Sequence, residues 1–212
     1  TDPENPGLGT SNYEIPHRFT LRVSYSVELF DNLKTRFSVF GSANEGRPYS
    51  YTFDGGSMFG DSVGFIDRHL LYIPDGANDP NVVYGPEFDQ EAFFSYLDSE
   101  GLTKYAGKAM PRNSINSDWW TKFDVKITQD LPAFAEGHRA QAFFIIENFG
   151  NFLNDDWGVM YETSFPRAQE MVDASINDNG QYVYEEFIQP TGQTRVADAS
   201  LWEMRFGIRY DF

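Results

Sequence analysis

The amino-acid sequence predicts an all-β fold, an antiparallel transmembrane β-barrel segment of about five long strands with two long loops. Three observations favour this class. Apolar and polar residues alternate strictly along the strands, short connections alternate with very long ones, and aromatic residues lie near the strand ends. Successive side chains of a strand point to opposite faces, so such alternation predicts strands with one apolar face. Transmembrane barrel strands have this pattern.

Composition excludes several other classes. The chain has 212 residues, 16 Lys and Arg against 32 Asp and Glu, 17% aromatic residues and no cysteine. A net charge of −16 disfavours nucleic acid as a partner, because phosphate binding needs a basic face. The missing cysteines exclude disulfides and thiolate chemistry. No apolar run approaches the ~18 residues of a transmembrane helix, but barrel strands need no such run.

Alternation and turn signals divide the chain into strand and loop segments. The predicted segments are a leading loop at 1–16, a barrel hairpin at 17–43, a long loop with a short helix at 44–117, a second barrel hairpin at 118–149, a long loop with a local β-hairpin at 150–199, and a C-terminal barrel strand at 200–212. The helix is predicted over Glu87–Leu97, with Phe88 and Phe94 on its apolar face. Asp31 and Asn32 form the first turn, and Asp178 begins the turn of the local hairpin.

The order of connections predicts how these strands cross a membrane. Bacterial outer-membrane barrels have short periplasmic turns and long extracellular loops. A periplasmic C-terminus puts both long loops outside the cell. The tryptophans Trp119, Trp120 and Trp202 then lie at the outer strand ends, and Tyr210 and Phe212 at the inner end. Five strands cannot enclose a lumen, so the chain is expected to be part of a larger barrel.

Several motifs resemble one family of outer-membrane proteins. They are IPHRF at 15–19, GRPYSYTF at 46–53, LLYIP at 70–74, PRNS at 111–114, ENFGNFLNDDWG at 147–158 and the final FGIRYDF. With these the chain resembles the C-terminal barrel region of TonB-dependent outer-membrane receptors of the Oar-like (OmpA-related) group, which carry a carboxypeptidase-regulatory-like domain. The resemblance covers nearly the whole chain.

The resemblance implies a barrel of about 22 strands that is occluded by a plug and energised through TonB. The plug, the TonB box and the regulatory-like domain have no counterpart in these residues, so the remaining barrel and the plug become expected partners. The end of the chain also resembles the β-signal that the barrel-assembly machinery reads. Its positions are filled by Arg205, Gly207, Tyr210 and Phe212.

Basic residues on the polar strand faces are candidates for the lumen wall. If the apolar face meets lipid, these side chains face the lumen, where they contact a plug or an anionic substrate, or simply form a polar wall. They are Arg18, Arg22, Lys34, Arg36, Lys122, Lys126, Arg139, Arg205 and Arg209.

The long loops contain two further groups of candidates. Tyr49, Tyr51, Phe53 and Tyr72 either contact a ligand or pack the long loop on itself. Acidic loop residues are weak calcium candidates, with solvated turns as the alternative, and no other metal or cofactor is expected. These residues are Asp75, Asp79, Asp155, Asp156 and Asp178.

The resemblance therefore implies that the chain is the C-terminal part of a transporter in which a ligand passes through a plugged outer-membrane barrel, without enzymatic chemistry. One alternative is a barrel that anchors structural or adhesive surface loops, and another is a soluble β-rich binding domain. The strand segments contain nine basic and nine acidic residues, whereas the two long loops together carry a net charge of −13. The acidity is thus expected on the extracellular surface, where divalent cations bound to lipopolysaccharide screen it.

Overall fold

The computed structural model describes residues 8–30, 32–54 and 69–212. Residues 1–7 of the predicted leading loop, Asp31 of the predicted turn and residues 55–68 of the first long loop lie outside this description. The described residues are mostly β, with 47% in strands and 12% in helices, and their strands pair mainly in antiparallel fashion. This agrees with the all-β class that alternation predicts.

The described residues contain fourteen strands, three α-helices and a 3-10 turn at Leu102–Tyr105. The strands are β1 (Arg18–Phe30), β2 (Leu33–Asn44), β3 (Pro48–Phe53), β4 (Tyr72–Ile73), β5 (Val82–Tyr84), β6 (Lys108–Ala109), β7 (Ile115–Asn116), β8 (Trp120–Leu131), β9 (Arg139–Glu147), β10 (Tyr161–Glu162), β11 (Ala168–Ile176), β12 (Tyr182–Phe187), β13 (Thr194–Arg195) and β14 (Glu203–Asp211). The helices are α1 (Gln90–Ser99), α2 (Phe149–Leu153) and α3 (Ala197–Ser200).

The chain divides into two compact units. The loop unit comprises Thr1–Glu14, Arg47–Ser117 and Thr163–Thr194, and the meander unit comprises Ile15–Gly46, Asp118–Glu162 and Arg195–Phe212. The chain therefore passes between the units repeatedly, and each unit is built from segments that are distant in sequence.

The meander unit is built on one five-stranded antiparallel sheet, the meander sheet, in the order β1, β2, β8, β9, β14. Its register brings the apolar faces of all five strands to one side of the sheet and their polar faces to the other. One cross-strand row consists of Val23, Val39, Val125, Ile146 and Met204. The adjacent row, on the other face, consists of Ser24, Ser38, Lys126, Ile145 and Arg205. The alternation along each strand thus continues across the whole sheet.

Short connections lie at one end of the meander sheet and long ones at the other. At the short end, β1 and β2 are joined through Asn32, whose φ of 64° lies in the left-handed region that asparagine adopts more readily than most residues. Residues 132–138 join β8 to β9 at the same end. Both long loops leave from the opposite end, after β2 and after β9, as the sequence predicts.

The loop unit has its own five-stranded sheet, in the order β5, β12, β11, β3, β7. The predicted local hairpin is formed by β11 and β12, whose turn is held by Asn177 accepting from the backbone of Asn179 and Gln181. Strand β3, from the first long loop, pairs in parallel with β11, from the second. Large parts of the two predicted loops, Arg47–Ser117 and Thr163–Thr194, therefore belong to one folded unit, which alternation within each loop does not predict.

The core of the loop unit is aromatic and continuous. Its buried hydrophobic residues are Tyr49, Tyr51, Phe53, Leu71, Tyr72, Ile73, Val82, Phe88, Phe93, Leu97, Leu102, Met110, Met171, Val172, Ala174 and Tyr184. Many of these rings meet edge to face, as in Phe93 against Tyr184 at 5.9 Å between centroids. Such contacts stabilise a core beyond simple area burial.

Helix α1 corrects the predicted helix bounds. It begins at Gln90, not at Glu87, because the Asp89 carboxylate accepts from the backbone N–H of Ala92 and caps the helix. Phe88 precedes the helix and still packs into the core. Phe93 and Leu97 are the buried residues of α1, whereas the predicted Phe94 is half-buried.

Candidate functional site

The apolar face of the meander sheet is exposed, although a face this apolar is normally covered. On the edge strands Val23 and Leu21 are 55% and 66% exposed, and Phe206 and Ile208 are 73% and 66% exposed. In the described residues, β1 and β14 each pair on one side only. The sheet therefore has two open edges and an extended apolar surface that the described part of the chain does not cover.

All nine basic candidates lie on the opposite, polar face. The register puts Arg22 opposite Phe40, Lys126 opposite Ser38, and Arg209 opposite Gln141 on that face. The remaining members are Arg18, Lys34, Arg36, Lys122, Arg139 and Arg205. Their sharing of one face agrees with the prediction from alternation, while lumen contact stays a prediction.

Ion pairs on the polar face are unevenly distributed. Lys122 lies 3.5 Å from Asp124, and Arg209 lies 2.9 Å from Asp211. Arg205 bridges Glu147 at 3.2 Å and Glu203 at 2.8 Å. On β1 and β2, Arg36 donates to the Ser26 hydroxyl at 3.2 Å. Among the described residues, the acidic partners of these basic residues thus lie on β8, β9 and β14.

The aromatic residues at the long-loop end form ring contacts on the apolar side. Phe19 and Trp119 stack with centroids 6.0 Å apart, and Phe152 meets Trp202 edge to face at 5.2 Å. Trp120, the first residue of β8, also lies at this end, as predicted, but on the opposite face of the sheet. Its register with Asn44 puts it on the polar face, and its Nε1 donates to the Gly158 carbonyl at 3.0 Å.

The short-connection end has a second aromatic group. Phe134 packs on Tyr210 with ring centroids 5.7 Å apart, and Nδ1 of His138 lies 2.8 Å from the Tyr210 hydroxyl. Phe212 is almost fully exposed at the end of the chain. The structure thus brings the predicted inner aromatic residues to the end that has short connections.

Gly207 of the predicted β-signal has a packing role that sequence analysis missed. It pairs with Phe143, and a Cβ at Gly207 would collide with the Phe143 ring. The ring thus covers the glycine backbone, an arrangement known to support strand pairing at glycines. The sequence signal was Phe143, an aromatic residue on the face of β9 that also carries Arg139, Gln141 and Glu147. Lys126 lies above the same ring at 5.8 Å from its centroid.

The ENFGNFLNDDWG motif folds into a locked turn. Asn148 has a φ of 51°, and its Nδ2 donates to the carbonyls of Gly158 and Ser200 at 3.0 Å each. Gly158 has a φ of 64°, and a Cβ there would collide with the Asn148 amide. Asn151 donates to the carbonyl of Trp157 at 3.0 Å. The motif therefore needs asparagine and glycine at these positions for geometric reasons.

Helix α2, inside this motif, packs on the apolar face of the meander sheet. The Phe149 ring lies 5.8 Å from Phe123, which shares the face of Val125. Gly150 allows this approach, because a Cβ there would lie 3.3 Å from the Phe123 ring. The helix therefore packs on the apolar face of the sheet, at the end from which the long loops leave.

The aromatic loop candidates belong to the core of the loop unit. Tyr49, Tyr51, Phe53 and Tyr72 are all buried, which favours packing over ligand contact among the two alternatives. The Tyr51 hydroxyl lies 3.0 Å from the Tyr96 hydroxyl. Burial, together with bonding to neighbouring tyrosines, raises the pKa of Tyr51 far above its usual value, so the phenol stays neutral.

Of the calcium candidates, Asp79 organises a buried turn. Its carboxylate accepts from the backbone N–H of Asp75 and Asn81 at 2.7 and 2.8 Å and from the Tyr72 hydroxyl at 3.0 Å. Asp155, Asp156 and Asp178 are exposed in turns. Within the described ranges, no three His, Cys, Asp or Glu side chains are grouped as metal ligands.

Comparisons with known proteins identify no relative of this chain. This chain matches no family model, no curated protein and no solved structure. Among the described residues, no helix is long and apolar enough to span a membrane.

Proposed function

We propose that this chain forms the last strands of an Oar-like, TonB-dependent outer-membrane transporter, in which a ligand passes through a plugged barrel without covalent chemistry. The observation that carries the proposal is the register of the meander sheet. Five strands align an exposed apolar face against a face with nine basic residues. A lipid-facing wall backed by an aqueous lumen requires such a two-faced sheet.

Dimensions support the same proposal. The meander strands are 13, 12, 12, 9 and 9 residues long. A tilted transmembrane strand needs about 9–11 residues. The apolar positions of β1 run from Phe19 to Leu29, and ten steps of ~3.3 Å tilted by ~40° correspond to an apolar band about 25 Å tall.

The open edges explain why a larger barrel is proposed. Unpaired backbone groups cannot face hydrocarbon, so in a membrane β1 and β14 need further strands as neighbours. We assign those strands and the plug to the remainder of the protein. The barrel-assembly machinery would recognise Arg205, Gly207, Tyr210 and Phe212, and TonB would act on the plug region. The acidic loop unit would then face outward, near lipopolysaccharide.

A matched pair of substitutions tests the membrane assignment. Val23 and Ser24 are adjacent at the middle of β1, both exposed, and on opposite faces. Val23→Arg puts a charge on the proposed lipid face, at a cost of about 2–4 kcal/mol near the bilayer midplane. Ser24→Arg puts the same charge on the polar face.

The readout is the amount of heat-modifiable protein in isolated outer membranes. We expect V23R to lose most of the assembled form and S24R to retain it. Equal behaviour of the two variants, or recovery of the wild-type protein in the soluble fraction, would refute the membrane assignment. Deletion of Phe212 should also reduce assembly, and normal assembly of that variant would contradict the β-signal assignment.

A second candidate function is display of the loop unit by a barrel that acts only as an anchor. It is favoured by the continuous core and shared sheet of the loop unit, which make it a preformed surface module. The upstream coding sequence distinguishes the candidates. A plug domain with a TonB box supports transport, and an upstream region that completes a barrel without them supports display.

A further inference from the structure

We propose that the interfacial segment, residues 149–158, is a membrane anchor that inserts into the outer boundary between lipid headgroups and acyl chains. It comprises α2 and the turn that follows it. The inference rests on the proposed function, because it takes the apolar face of the meander sheet to contact lipid. It goes further by giving a segment outside the barrel wall a membrane-binding role.

The position of α2 is the first argument. Phe149 packs on Phe123 and Phe152 packs on Trp202, and both partners belong to the apolar side of the sheet. The helix therefore lies on the side that lipid would cover, at the end from which the long loops leave. It shares that end with the Phe19–Trp119 stack.

The polarity of the segment is the second argument. Phe152, Leu153 and Trp157 are 42%, 57% and 54% exposed, a large fraction for apolar side chains on so short a segment. The exposed polar stretch 154–156 lies between them. The segment thus combines apolar side chains, a tryptophan and carboxylates within a few residues. The headgroup boundary accommodates this combination, since tryptophan prefers that depth and amphipathic helices lie there.

The rigidity of the segment is the third argument. Asn151 donates from Nδ2 to the carbonyls of Asp155 and Trp157 at 2.9 and 3.0 Å. The Gly158 carbonyl accepts from Trp120 and from Asn148 at 3.0 Å each. The backbone of the segment is therefore fixed before any lipid binds. Insertion then requires little additional ordering, which favours binding.

Continuity with the apolar sheet face selects lipid as the occupant over a second protein. The same surface extends from Phe206 and Met204 through Trp202 to Phe152 without a polar interruption along the strand. A protein partner for α2 alone would leave that sheet face uncovered. A bilayer covers both.

The test uses site-specific fluorescent labels, for which the cysteine-free chain is well suited. Leu153→Cys, Ile208→Cys and Asn179→Cys are each introduced into the intact protein and labelled with an environment-sensitive dye. Asn179 is an exposed control in the loop unit. The proteins are assembled in phosphatidylethanolamine and phosphatidylglycerol vesicles that contain lipids brominated near the headgroup or near the chain end.

We expect the Leu153 label to lose roughly half its fluorescence with shallow bromines and less with deep ones. The Ile208 label should be quenched more by deep bromines, and the Asn179 label by neither. A Trp157→Cys variant repeats the Leu153 measurement if L153C does not assemble, as judged by heat-modifiable mobility.

The failures are distinguishable. A Leu153 label that bromines do not quench, or that only deep bromines quench, overturns the anchor while quenching at Ile208 preserves the proposed function. Quenching of the Leu153 label by neighbouring labelled proteins instead of bromines identifies a second copy and also overturns the anchor. Absence of quenching at both Leu153 and Ile208 overturns the proposed function itself.

Discussion

The two units contain similar side chains in opposite environments. In the loop unit Phe53, Phe93 and Tyr184 are at most 1% exposed, whereas in the meander unit Phe19 and Phe206 are mostly exposed. The loop unit buries its aromatic residues against its own chain. The meander sheet displays them in a continuous face. The same residue types are therefore buried in the loop unit and exposed in the meander sheet, and the proposed function assigns lipid to the exposed face.

Charge separates the regions in the same way. The strand segments are neutral in sum, while the two long loops carry −13 of the net −16. On the polar face of the sheet, basic residues are balanced partly by neighbouring carboxylates such as Glu147 and Asp211. The acidity is thus a property of the long loops, and it agrees with the proposed outward position of the loop unit.

The largest expected effect contrasts the two kinds of aromatic residue. Phe93→Ala removes a fully buried ring and should lower the free energy of unfolding of the loop unit by about 3–5 kcal/mol. Phe206→Ala, in detergent-solubilised protein, should cost about 1 kcal/mol or less, because this ring is 73% exposed. Hydrogen exchange against denaturant measures both. Comparable losses would show that Phe206 is buried by an undescribed part of the protein.

The next effect concerns the buried turn at Asp79. Burial favours the neutral acid, but the N–H groups of Asp75 and Asn81 and the Tyr72 hydroxyl donate to the carboxylate. The net result is a lowered Asp79 pKa. A pKa lowered by folding stabilises the protein above the unfolded pKa, and this stabilisation is lost as the pH falls below about 4.

Asp79→Ala should therefore destabilise the loop unit by about 2–3 kcal/mol at neutral pH. On acidification the wild-type protein should lose part of this stabilisation, so its free energy of unfolding should approach that of Asp79→Ala. Hydrogen exchange at neutral and acidic pH measures the difference, with the exposed Asp178→Ala as control. A difference that does not depend on pH would contradict the role of the ionised carboxylate.

A smaller effect tests packing within the meander sheet. Gly207→Val should strain the β9–β14 pairing by about 1–3 kcal/mol, because its side chain collides with the Phe143 ring. The double variant with Phe143→Ala should recover part of this loss, and thermal loss of the heat-modifiable form measures it. Gly41→Ala is the control, since its added methyl group meets Leu21 at ordinary contact distance. Additive losses would exclude the ring-over-glycine contact.

The smallest effect concerns the exposed ion pair of Arg209 and Asp211. Arg209→Gln should change unfolding stability by no more than about 0.5 kcal/mol, because exposed ion pairs are weak and water replaces them. Urea unfolding in detergent with and without added salt measures this. A larger, salt-sensitive loss would indicate that the polar face is enclosed and poorly hydrated.

The sequence by itself determined the faces of the strands. The alternation through Arg22, Val23 and Ser24 is a local property, because each side chain reverses direction relative to its chain neighbour. The positions of the five long strands and the shared face of the nine basic residues follow from it, and turn residues such as Asn32 mark the short connections. The sequence predicted that α1 is a helix but not the residue at which it begins. Its start depends on the hydrogen bond from the Ala92 backbone to the Asp89 side chain.

Tertiary structure alone decided how distant segments combine. Strand β3 pairs with β11 more than a hundred residues later, and both contribute to the core around Tyr51 and Val172. No periodicity within either long loop encodes that pairing. Phe143 over Gly207, and Asn148 against Gly158, likewise depend on which residues the fold brings together. Alternation is fixed by covalent geometry between neighbours, whereas pairing and packing are fixed by the fit of side chains across the folded chain.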